Sequence, residues 1–136
     1  MVDNTEVVRQ AYERFAAGDV PGLLAMMDPK IEWFEAENSP YWGGQPYVGP
    51  EPVVEHVFSR IQEDFDGFSI DISRISGCGN TVLVEARYGG AGRATGLPLD
   101  AQVAHVWDVR DGRLARFQQY VDTWRLAKVT DRMPTS

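Results

Sequence analysis

The sequence predicts an α+β fold, with three helices at the N-terminal end packed on one face of a curved antiparallel sheet. Three observations carry this. Helical spacing of apolar residues is confined to the first half of the chain, strict alternation takes over after Gly67, and the alternation ends in a long ribbon turned at Asp111-Gly112. A curved sheet leaves space beneath its helices that they need not fill, so the arrangement predicts an enclosed pocket.

The first helix starts with a capping-box pattern, Asp3 followed by Glu6, and continues through Val8, Ala11, Tyr12 and Phe15 to Gly18. Asp19 begins a short second helix through Leu23, Leu24, Met26 and Met27, which Pro29 ends. Ile31 to Phe34 reads as a strand on which Ile31, Trp33 and, by extension, Glu35 share a face. The segment AENSPYWGGQPYVGP is a Gly- and Pro-rich loop carrying Tyr41, Trp42 and Tyr47, read as a lid over a cavity or as a patch buried in a dimer. From Glu51 to Phe65, the positions Val54, Val57, Phe58, Ile61 and Phe65 predict the third helix. Two strands follow, one through Phe68, Ile70 and Ile72 and one through Val82, Val84, Ala86 and Tyr88, with a turn at 77–80. GGAGRATGLPL is a glycine-rich connection, and residues 125–136 read as a polar, flexible tail.

The ribbon at 101–124 has an inner face of Val103, His105, Trp107 and Val109 on one strand and Ala115, Phe117, Gln119 and Val121 on the other. Asp-Gly between alternating apolar residues is a strong hairpin signal. A two-residue loop pairs Val109 with Leu114 and sets Arg116 against Trp107. A three-residue loop pairs Trp107 with Phe117 and Val103 with Val121, and it is preferred because apolar then meets apolar throughout. That register brings His105 beside Gln119. Burying an imidazole and a carboxamide costs a few kcal/mol unless both are hydrogen-bonded, so the pair marks a candidate site.

The 136 residues fit one domain, 1–136, with 43% apolar residues. A net charge of −7 disfavours nucleic acid as a partner. No apolar run is long enough to span a membrane and no leader is recognisable, so a cytoplasmic location is expected. Cys78 is the only cysteine and can form no internal disulfide. Gly43-Gly44 is too short for a phosphate loop, and no metal-ligand or dinucleotide spacing occurs; neither metal nor organic cofactor is expected.

Several motifs resemble one known family. They are Tyr12-x-x-Phe15-x-x-Gly18-Asp19, Ile31-Glu32-Trp33, Gly43-Gly44, Tyr47-x-Gly49, Ala104-His105-Val106-Trp107-x-Val109-x-Asp111-Gly112 and Gln119-Tyr120-x-Asp122-Thr123. Over residues 5–127 the chain resembles the cone-shaped, barrel-like α+β superfamily of nuclear transport factor 2, and within it the SnoaL-like, ketosteroid-isomerase-related proteins. The resemblance places the isomerase's base at or near Trp33, with Glu35 two residues on and on the same face, and its oxyanion-binding acid at His105. The isomerase's helix-one tyrosine falls near Ala11, one step from Tyr12. The water-activating aspartate of limonene-type epoxide hydrolases falls at Gln119, which is no base.

For SnoaL-like cyclases, which move a proton next to a carbonyl, Glu35, His105 or Asp122 are the candidates. The chain is therefore expected to bind a small hydrophobic carbonyl compound, of steroid, polyketide or terpenoid kind. It would act as a cofactor-independent isomerase or cyclase, with Glu35, His105, Gln119 and Asp122 as catalytic candidates. Tyr12, Phe15, Trp33, Trp42, Phe58, Val103, Trp107 and Phe117 are the expected pocket wall. Alternatives are a non-catalytic binding module of the same fold and an epoxide hydrolase or dehydratase variant. Asp122 has a second reading, as a cap or a partner of Arg125, and relatives' habits imply a homodimer through the sheet.

Overall fold

The computed structural model describes residues 3–132, and in it a six-stranded open sheet carries the helices. Helix α1 (Asn4–Ala16) is capped by the Asp3 carboxylate, which accepts from the Thr5 N–H, and it buries Val7, Val8, Ala11 and Tyr12. Asp19 caps α2 (Val20–Ala25) by accepting from the Gly22 N–H. That helix ends earlier than expected. Met26 and Met27 leave it because the Met26 carbonyl accepts from the Leu114 N–H and Met27 already pairs with Leu114 in strand β1 (Met27–Phe34).

After β2 (Tyr47–Val48) the chain turns helical from Pro50 to Asp64. The single third helix expected there is three consecutive segments: α3 (Pro50–Val53), a π-helical turn (Val54–Phe58) and α4 (Ser59–Asp64). The wider turn inserts a residue into the helical phase, a distortion that often accompanies functional sites. Strands β3 (Phe65–Cys78), β4 (Thr81–Gly92), β5 (Pro98–Arg110) and β6 (Arg113–Val121) follow. Most of the supposed glycine-rich connection belongs to strands, with Gly89 opposite Asp100 and Ala91 opposite Pro98.

The strand order is β2-β1-β6-β5-β4-β3, and the sheet does not close into a barrel. Nor is it wholly antiparallel, since β1 runs parallel to β6 with Trp33 opposite Phe117. Both readings of the ribbon contribute to its register. The turn has two residues, Asp111 and Gly112, with φ of 51° and 75°, the two positive values that a type I′ hairpin requires. Val109 pairs with Leu114, but a bulge then shifts the register so that Trp107 faces Phe117 and His105 faces Gln119. The extra residue lets Leu114 and Ala115, neighbours in sequence, both be buried.

The C-terminal stretch corrects the expectation of a flexible tail. Residues Thr123–Thr130 form a fourth helical region, α5, burying Leu126, Ala127, Val129 and Thr130. Its N-cap is Asp122, whose carboxylate accepts from the Arg125 N–H. Residues 133–136 of the expected tail lie outside the described residues. No helix among the described residues is long and apolar enough to cross a membrane.

Candidate functional site

Alternation along β1, β4, β5 and β6 turns Trp33, Tyr88, His105, Trp107, Phe117 and Gln119 to the same side of the sheet, beneath α1 and the π-helical turn. Together with Ala11, Tyr12, Phe15, Leu23, Glu35, Val57, Phe58, Ile61, Phe68 and Ile70 they line a cavity of about 50 Å³. Its inner wall is an aromatic cluster, in which Trp33 stacks on Phe117 at 3.8 Å between ring centres and Trp107 tilts against Phe117 at 4.7 Å.

Polar groups in that wall form one connected network. The Trp107 Nε1–H donates to the Tyr12 hydroxyl oxygen at 2.8 Å, and that hydroxyl meets His105 Nδ1 at 2.5 Å. On the other side of the ring, His105 Nε2 lies 2.7 Å from the Tyr88 hydroxyl, which also accepts from the Gln119 Nε2–H at 2.7 Å. The Gln119 Oε1 in turn accepts from the Ala36 N–H at 3.2 Å, fixing the chain next to Glu35. His105 and Gln119 are thus linked through Tyr88, not to each other.

Glu35 lies one residue past β1 and is as buried as a core side chain, at 5% exposure. Its Oε2 accepts from the Trp33 Nε1–H at 2.8 Å. Among the described residues its buried Oε1 has no hydrogen-bond partner. Leaving such an atom unsatisfied costs about 1–3 kcal/mol, so Glu35 is held ready for a polar atom that the described residues do not supply. Burial pushes its carboxyl up to about 7, partly offset by the Trp33 hydrogen bond. Burial drives His105 the other way, down to about 3. The imidazole is therefore neutral at ordinary pH and is not the acid with an unperturbed value that its residue type suggests.

Of the residues expected at the site, Glu35, His105, Gln119, Tyr12, Phe15, Trp33, Phe58, Trp107 and Phe117 line the cavity. Three do not. Asp122 caps α5 and pairs with Arg125 at 3.2 Å, because the chain leaves β6 and turns helical there. Val103 is buried in the core away from the cavity lining. Trp42 is 37% exposed. The aromatic loop is not a lid over the cavity. Tyr41 is buried and donates to the Asp64 carboxylate at 2.9 Å, Tyr47 stacks on His56 and donates to the Tyr41 carbonyl at 2.7 Å, and none of the three aromatics lines the cavity.

Tyr88 lines the cavity and joins its network, and the sequence did not mark it as such. It ends the inward series Val82, Val84, Ala86, Tyr88, where its parity marked it as core and nothing marked its hydroxyl as shared. Among the described residues no group of three or more His, Cys, Asp or Glu is placed to hold a metal ion.

A family model described as SnoaL-like domain matches residues 8–117. None of the curated proteins compared matches the chain. Among solved structures, an NTF2-like protein from Burkholderia thailandensis is 32% identical, with a TM-score of 0.88 over 95% of this chain and 98% of that one. TerC, co-crystallised with polyporic acid, is 22% identical with a TM-score of 0.83, covering 94% of this chain and 98% of its own. IdmH from Streptomyces antibioticus, named as a candidate polyketide cyclase, is 18% identical with a TM-score of 0.81, covering 96% and 99%. The last two share the fold with this chain.

Proposed function

The chain belongs to the SnoaL-like domain family, and from that premise we propose that its cavity takes a largely apolar compound bearing a carbonyl oxygen. Glu35 would move a proton on that compound without a cofactor, as an isomerase or cyclase does. The observation that carries this reading is the buried, unpartnered Oε1 of Glu35 at the cavity wall. A carboxyl group brought close to neutrality by burial is matched to taking a proton from carbon and returning it. The C–H bond next to the carbonyl breaks to Oε1, its electron pair moves into an enolate, and the proton returns at a second position. A hydrogen-bond donor at the enolate oxygen contributes about 3–4 kcal/mol to such a step.

Size narrows the ligand. About 50 Å³ accommodates the reacting end of a molecule and not a steroid or polyketide ring system, since ligand pockets usually run to roughly 300–1,000 Å³. The body of a larger compound would enter from an outer cleft of about 430 Å³ that shares Phe15, Phe58, Ile61 and Phe68 with the cavity. The structural neighbours named for a polyketide cyclase and for a polyporic acid complex support a small organic ligand of this kind.

The test compares wild type with Glu35→Gln on a panel of steroid, polyketide and terpenoid carbonyls. Turnover should fall on the order of 100-fold or more, while stabilisation by the bound ligand survives. Binding without turnover of any panel member by wild type would make the protein a binding module of the same fold.

A further inference from the structure

Each hydrogen bond in the cavity wall uses one proton, and the count leaves one hydroxyl proton over. The Trp107 Nε1–H is spent on the Tyr12 oxygen, and the Gln119 Nε2–H on the Tyr88 oxygen. The amide cannot be turned round, because the Ala36 N–H donates to its Oε1. Between the two hydroxyls sits His105, with Tyr12 at Nδ1 and Tyr88 at Nε2. A neutral imidazole carries one N–H, so it accepts from one tyrosine and donates to the other. Counting the one Gln119 N–H directed at Tyr88, five protons, on Trp107, Gln119, the imidazole and two hydroxyls, therefore serve four contacts, and the second Gln119 N–H takes no part in them. The tyrosine that accepts from the ring also accepts from Trp107 or Gln119, and its own O–H is the proton left without a partner.

We propose that this tyrosine is Tyr88, that its hydroxyl is the donor the cavity offers to a ligand's carbonyl or enolate oxygen, and that His105 is the positioning residue that directs it. The choice between the tyrosines follows from two observations. Contacts in which a hydroxyl donates are shorter than those in which an N–H donates to oxygen. The Tyr12 contact, at 2.5 Å, is shorter than the Tyr88 contact at 2.7 Å, which puts the ring proton on Nε2. Tyr88 is also the member of the pair that feels Glu35: burial first and the nearby carboxylate second raise its phenol, whereas Tyr12 is raised by burial alone. The free hydroxyl and the free carboxyl oxygen both belong to side chains that line this cavity, as an acid–base group and an oxygen donor must.

The inference rests on the reading of the cavity as the ligand site, but its first test needs no ligand. With ring-¹⁵N histidine incorporated into the full chain, NMR should show His105 as the tautomer with Nε2 protonated and Nδ1 pyridine-like. A ring protonated at Nδ1 would make Tyr12 the free donor, and an imidazolium at neutral pH would donate to both tyrosines, free both hydroxyls and leave His105 selecting neither; either overturns the proposal. The second test uses cyclohex-2-enone as the probe and the infrared stretch of its carbonyl as the readout. In wild type the bound stretch should lie below its position in hexane. Tyr88→Phe should abolish that lowering and weaken the enone roughly two- to tenfold, whereas Tyr12→Phe should keep it. A lowering that survives Tyr88→Phe refutes the assignment. An enone that does not bind wild type, with Nε2 protonated as expected, counts against the proposed ligand class, and the tautomer alone decides which hydroxyl is free.

Discussion

Replacing Glu35 by glutamine should make the protein more stable, and by an amount that depends on pH. Glutamine has the shape of the neutral carboxyl group, keeps an oxygen for the Trp33 Nε1–H and never ionises. In the wild type, burial lifts the carboxyl from 4.5 to about 7. Between those values the folded chain holds a proton that the unfolded chain has lost, so stability falls as pH rises through the window and the loss is complete above it. Each tenfold displacement of the equilibrium is about 1.4 kcal/mol, so the whole displacement is worth roughly 3 kcal/mol. Glu35→Gln should lie within about 1 kcal/mol of wild type near pH 5 and exceed it by roughly 3 kcal/mol at pH 8.5. For 136 residues, an unfolding entropy of about 2 cal/mol/K per residue turns that into a difference in thermal midpoint of about 10 °C. Thermal and urea melts of both proteins across this range measure it. The other carboxylates titrate alike in the two chains and cancel. A stability difference that stays constant from pH 5 to pH 8.5 would show that Glu35 is solvated or internally paired, and the argument for a poised carboxyl would fail with it.

Two further substitutions probe what holds the site in place. Tyr41→Phe removes a donor from the buried Asp64 carboxylate, which among the described residues keeps only Arg132 at 2.8 Å; urea unfolding should show a loss of about 2 kcal/mol, and no loss would mean that water replaces the hydroxyl. Gly92→Ala would place a methyl group 2.2 Å from the Val129 carbonyl oxygen, so β4 and α5 must move apart. It should cost about 1–3 kcal/mol and speed proteolytic cleavage within Thr123–Thr130; unchanged cleavage would mean that α5 does not depend on that close approach.

Local pattern was informative wherever one face of an element is buried. The pairing of Trp107 with Phe117 and of His105 with Gln119 followed from matching apolar residues across the ribbon, because a slip by one residue reverses every side chain. The parity of Trp33 carried Glu35 inward even though the strand ends at Phe34. Asp122 had its alternative role legible beside it, since an aspartate two residues before an apolar, helix-spaced stretch is also a cap. Reading 125–136 as polar hid Leu126, Ala127 and Val129, whose spacing is that of one helix face. The π-helical turn and the hairpin bulge left no comparable mark, because each is one extra residue accommodated by packing elsewhere.

By itself the sequence determined the α+β class, the inward faces of the strands and the presence of an imidazole and a carboxamide on one side of the sheet, because side-chain parity and helical spacing are local properties; it left open whether Glu35, beyond the end of its strand, joins them. The tertiary structure alone decided what those groups do to one another. Parallel pairing of β1 with β6, 83 residues apart at the Ala36–Gln119 contact, brings Glu35 under the network. Tyr88 joins His105 to Gln119 across 17 and 31 residues of chain. Whether a carboxyl oxygen ends up partnered, and which hydroxyl keeps a spare proton, depends on burial and on distances between atoms far apart in sequence, and no local spacing encodes these.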